Sequence, residues 1–159
     1  MSEAVTENLD EETLARRMRM LHLIATAFLL AIAMYGLVAY WVASVPLQPE
    51  SAPGPYFAPV LMLLAALAIG VSPMVERFVL SRGSDRPLGT FFAASLIGLA
   101  LREAGAVYGL IAALATREPG WFGAAASVSV AALLLAWPRR ARLDAYLAAQ
   151  ASASRGPTR

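Results

Sequence analysis

Between Leu21 and Ser44 the chain runs for 24 residues with nothing more polar than His22, Thr26 and Tyr35. A helix needs about 20 apolar residues to cross a bilayer, so this run by itself predicts a membrane-spanning helix. A cleaved signal peptide would have an apolar region of only about 7 to 15 residues. Its leader would also lack the five carboxylates Glu3, Glu7, Asp10, Glu11 and Glu12 that precede this run. The helix is therefore expected to be retained, with Asp10 placed to cap its start.

Three further runs follow. Val45 to Pro55 holds four prolines, Gly54 and Glu50, which no helix interior tolerates, so the chain is expected to leave the membrane there. A second span is predicted over about 56–75, with Pro59 harmless in its first turn and Pro73 loosening its last turns before Glu76 and Arg77. The polar turn SRGSDRP, Ser81 to Pro87, leads to a third span over about 88–116. A short break at Arg117 to Gly120 leads to a fourth over about 121–137. The expected fold is thus an all-α membrane protein of four transmembrane helices in two hairpins. Residues 1–20 form a polar N-terminal segment, 21–138 the transmembrane domain, and 139–159 a basic cytoplasmic tail whose Leu143, Tyr146 and Leu147 suggest a short interfacial helix.

Arginine placement orients the spans. Nine arginines (Arg16, Arg17, Arg19, Arg77, Arg82, Arg86, Arg139, Arg140 and Arg142) fall on the side of the termini, against Arg117 alone on the other. Positive loops stay in the cytoplasm, so both termini are expected there, in the cell (inner) membrane. Tyr40, Trp41, Tyr56, Phe57, Trp121 and Phe122 fall where the outer interface is expected, and Phe78, Phe91, Phe92 and Trp137 near the inner one. The run Tyr35-Gly36-Leu37-Val38-Ala39 is echoed by Tyr108-Gly109-Leu110-Ile111-Ala112, which raises a parallel duplication of two hairpins beside chance similarity of alanine-rich helices.

Composition removes most chemistry. With no cysteine, thiolate metal sites have no ligands, the lone His22 cannot supply a histidine-based site without help from carboxylates, and a formal charge of +2 without a basic and aromatic patch does not suit nucleic acid. No phosphate-binding loop, nucleophile elbow or zinc signature is present, so neither enzymatic activity nor a cofactor is expected. The expected partners are the lipid bilayer and either further copies of this chain or other membrane subunits.

What remains is one polar pair. Arg102 and Glu103 lie near the middle of the third span, where each charge costs about 2.5 to 3.5 kcal/mol. Adjacent helical residues point about 100° apart, so each needs a partner elsewhere. Arg102 shares its face with Ser95, Gly98, Gly105, Ala106, Gly109 and Ala113, a stripe of small residues that admits another helix closely. Gly98, Gly105 and Gly109 are the expected packing residues. Glu103 lies with Leu96, Leu99, Ala100, Val107 and Leu110, an apolar setting that disfavours a charged carboxylate. For Tyr35 a hydrogen bond to a carbonyl is expected, and His22 is expected at the inner interface.

The stretch GLALREAGAVYGLIAAL, Gly98 to Leu114, resembles the carboxylate-bearing helix of the proteolipid, or c, subunits of rotary ATP synthases. Glu103, Ala104, Tyr108, Gly109 and Leu110 match the register of that family's ion-carrying glutamate and the residues after it, and Arg86-Pro87 matches its cytoplasmic loop. The resemblance implies an ion-binding role for Glu103 with Tyr108, and Arg102 is the expected charge partner within the membrane. Two functions are therefore expected. One is a small membrane subunit of a larger complex that handles protons or ions through Glu103. The other is a non-catalytic anchoring or assembly protein in which the Arg-Glu pair is a structural lock.

Overall fold

The computed structural model describes residues 11–45, 53–82 and 87–154. Over these the chain is entirely helical, with α1 Glu11–Ser44, α2 Phe57–Arg82, α3 Pro87–Thr116, α4 Pro119–Leu135 and α5 Arg140–Ser154. α1, α2 and α3 are each long and apolar enough to cross a membrane, and α4 with α5 makes a fourth candidate if the two are taken as one span bent by 58°. α4 alone has 17 residues, about 25 Å at 1.5 Å per residue. Asp10, Glu50 and Arg86 lie outside the described residues.

α1 begins at Glu11, where a helix capped near Asp10 is expected to start, and its 34 residues measure about 50 Å, so it extends well beyond a hydrocarbon core of about 30 Å. α2 does not weaken at Pro73 but continues to Arg82. Proline removes the N–H that would bond the carbonyl four residues back, which here is Ile69. The fully buried Ser72 hydroxyl donates to that same carbonyl at 2.8 Å, so the acceptor is satisfied and the helix persists.

α3 is the hub, packed on α1, α2 and α4. Instead of forming a hairpin with α2, α1 lies against α3 and α4. The small-residue face of α3 accounts for this, because it lets neighbours approach from several sides at once. Buried Leu99, Ala106 and Ala113 of α3 pack with Leu21, Ala25, Ile32 and Ala39 of α1 and with Phe122, Ala126 and Leu133 of α4. A duplication with matching hairpins would pair α1 with α2 as α3 pairs with α4, and the packing does not show that symmetry.

Hydrogen bonds fix the ends. At one end His22 of α1 donates from Nε2 to the Pro138 carbonyl at 2.7 Å and stacks on Trp137 with ring centres 5.8 Å apart. The start of α1 and the exit of α4 therefore share that end, along with the end of α2 and the start of α3. α5 folds back over it. Fully buried Leu143 packs with Met18, Leu88 and Phe91, flanked by Tyr146 and Leu147, so the face expected of the tail helix is the face that is covered.

At the other end Arg117 turns α3 into α4. It holds a positive φ of 61°, rare for a side chain with a Cβ, and its guanidinium donates to the Val45 carbonyl at 2.6 Å. Tyr40, Trp41, Tyr56 and Phe57 are exposed around this end, whereas Phe122 turns inward and packs on the open face of Gly36.

Candidate functional site

The site is assembled from three helices at the end where α1 begins and α5 packs. Arg102 of α3 is buried, and its Nη1 donates to Glu76 Oε1 of α2 at 2.5 Å. Glu76, only 3% exposed, accepts a second bond on Oε2 from Arg142 Nη2 of α5 at 2.8 Å. Each carboxylate oxygen is thus matched to a different guanidinium. Burial makes the two contacts unequal. The Arg102 side chain is 7% exposed and that of Arg142 is 49% exposed, so Arg102 depends on Glu76 for its neutralisation while Arg142 keeps access to water. Removing one half of a buried pair strands the other charge at about 3 to 5 kcal/mol, whereas an exposed pair is worth about 1 kcal/mol or less.

Gly98 makes room for this arrangement. A Cβ there would collide with the Glu76 carboxylate. The other packing glycines serve different neighbours. A Cβ at Gly105 would lie 2.6 Å from Ile69 Cδ1 of α2 and 2.8 Å from Ser129 Oγ of α4, and one at Gly109 would collide with Ala125 Cβ. All three are buried, Gly98 against α2, Gly105 between α2 and α4, and Gly109 against α4.

Glu103 sits apart from this triad. It is half-buried, and Tyr35 of α1 donates to its Oε1 at 2.7 Å. The expected carbonyl acceptor for Tyr35 is thus replaced by a carboxylate. Tyr108, half-buried five residues further along α3, does not share that bond. Arg102 and Glu103, neighbours in sequence, are satisfied by different helices, as their angular separation requires.

Sequence reasoning misses Glu76 and Arg142. It places Glu76 at the frayed end of a span, beyond a proline, and counts Arg142 among the orienting arginines. A signal for Glu76 exists. The buried positions of α2 are Ala58, Ala65, Ser72 and Glu76, a face of small residues at helical spacing that ends in a carboxylate. Continuing that face past Pro73 carries Glu76 into the bundle. Nothing comparable marks Arg142, because its position depends on how the break at Trp137 and Pro138 redirects α5.

A cavity of about 560 Å³ opens beside the triad, in the cleft between α2 and α4. Its walls include Ile69, Pro73, Ala132 and Leu135, with Arg77, Arg102, Arg139 and Arg142 lining it together with Glu76. Among the described residues no cluster of three or more His, Cys, Asp or Glu side chains could hold a metal ion. No known protein family, curated protein or solved structure matches this chain.

Proposed function

We propose that the chain crosses the cell membrane four times, with both termini in the cytoplasm, and acts as a non-catalytic assembly or anchoring subunit of a larger membrane complex. The observation that carries this reading is the capture of both Glu76 oxygens by arginines of α3 and α5. Charges placed inside a bundle at such cost are used here to fix how its helices meet, which is what a structural lock does. The arginine bias supports the orientation, and the exposed aliphatic side chains of α1 and α2, among them Leu23, Leu30, Leu37, Leu63 and Leu67, offer a surface to lipid or to other subunits. The test is the size of the species extracted in mild detergent. The parent should migrate as an assembly larger than a single chain, and Glu76→Gln should dissociate or destabilise it. A parent that is monomeric under every mild condition contradicts the assembly role.

A second reading, ion or proton handling through Glu103, is supported by its hydrogen bond from Tyr35 and by the resemblance of its helix to the proteolipid subunits. An apolar carbodiimide attacks protonated carboxyls inside membranes and separates the two readings. Ion handling predicts that Glu103 is labelled in a pH-dependent manner and that Glu103→Gln abolishes transport while leaving assembly intact. An unreactive Glu103 whose replacement collapses the protein sinks this second reading.

A further inference from the structure

The charges in the cavity between α2 and α4 do not balance. Four arginines, Arg77, Arg102, Arg139 and Arg142, line one space with a single acidic residue, Glu76, whose carboxylate is already divided between Arg102 and Arg142. Among the described residues no carboxylate pairs with Arg77 or Arg139, both of which are exposed. Topological arginines need only reach water. These four converge on one concavity, one of them from a buried position on α3, and like charges gathered this way raise the local concentration of anions.

The shape of the cavity narrows the choice of anion. Its volume of about 560 Å³ falls within the range of small-molecule sites, roughly 300 to 1,000 Å³. Its lining is mixed. Ile69, Pro73 and Leu135 supply apolar wall, and Arg139 and Arg142 reach the lining from the start of α5 and the residue before it. α2 and α4 touch each other far less than either touches α3, so the apolar wall lies along an open cleft. A guanidinium fork suits carboxylate and phosphate alike, but a phosphate offers more acceptor oxygens and can engage several arginines at once.

We propose that this cavity is a binding site for a phosphate-bearing anion, held by Arg77 and Arg139 with Arg142 assisting from its half-exposed position beside Glu76. Two sources share that chemistry: the headgroup of an anionic phospholipid with its chain along Ile69 and Leu135, or a free phosphate in solution. The inference goes beyond the assembly role. It also fails separately from it, because Arg77 and Arg139 make no contact with Glu76 among the ion pairs of the described residues.

The experiment is thermal unfolding of the full chain in neutral detergent, titrated with inorganic phosphate, dihexanoyl phosphatidylglycerol or dihexanoyl phosphatidylcholine, with chloride at matched ionic strength as control. A saturable rise in unfolding temperature is expected with phosphatidylglycerol, with inorganic phosphate or with both. Phosphatidylglycerol alone identifies a lipid site, phosphate alone a site for a soluble anion, and both together a site open to either source. The double variant Arg77→Gln, Arg139→Gln should unfold at the parental temperature without ligand and bind roughly tenfold more weakly or worse. If that variant does not fold, Arg77→Lys with Arg139→Lys replaces it, keeping the charge and removing the fork, and several-fold weaker binding is expected. The proposal is overturned by no response to either phosphate probe, by an equal response to chloride or phosphatidylcholine, or by unchanged affinity in the arginine variants.

Discussion

Arg102 shows how far a single residue can be read. Its depth in an apolar helix and its row of small neighbours announce a seam and a missing partner. The nearest carboxylate in sequence is the wrong one, and the right one, Glu76, lies 26 residues away on α2. Gly98 is the residue that admits it. Gly98→Ala should displace the Glu76 carboxylate and destabilise the protein by about 1 to 3 kcal/mol, the usual range for overpacking. Gly70 is the control, because a Cβ there meets nothing within 4 Å. Gly70→Ala should be neutral or stabilising by up to about 1 kcal/mol through helix propensity. Denaturant titrations of the two variants side by side decide the matter, and equal stabilities would show that the carboxylate does not occupy the Gly98 notch.

At the scale of the element, α2 depends on an exchange of donors. Pro73 withholds a hydrogen bond from the Ile69 carbonyl and Ser72 returns one. Ser72→Ala should leave that part-buried carbonyl unsatisfied, at about 1 to 3 kcal/mol. In a Pro73→Ala background the backbone N–H is restored, so the same Ser72→Ala change should cost clearly less, and an equal cost in both backgrounds would rule out the exchange. The limits of α2 are hard to read from sequence for this reason. Proline is a strong end signal, and its compensation comes from an adjacent serine that blends into an apolar run. The α3 seam is easier, because glycine and alanine recurring at helical spacing leave a flat face that suits the close approach of another helix. Gly109→Leu should force α4 away at Ala125 and lower stability or expression. A variant as stable as the parent would contradict the close approach.

At the scale of the whole molecule, periodicity and arginine counts carry the number of apolar helices, while the packing order depends on contacts that no local pattern encodes. The connection from α1 to α2 is long enough to let α1 cross to α3 and α4, and apolar length alone does not distinguish that path from a simple hairpin. Whether α5 lies free or returns to the bundle is likewise hidden. Its Leu143, Tyr146 and Leu147 predict a covered face without naming the Met18, Leu88 and Phe91 that cover it. The proposed orientation has its own test. A reporter fused after Arg159 should be active only in the cytoplasm and one inserted near Gly54 only outside, and the reverse pattern would overturn it.

The central claim is that Glu76 and Arg102 lock the bundle from within, and a double-mutant cycle measures this most directly. Glu76→Gln, unfolded in mild detergent, should lose about 3 to 5 kcal/mol because it strands the buried Arg102, and Arg102→Gln should lose less because Arg142 still pairs with Glu76. The double variant strands neither and should be destabilised by clearly less than the sum of the two. Single losses that add without coupling would contradict the lock.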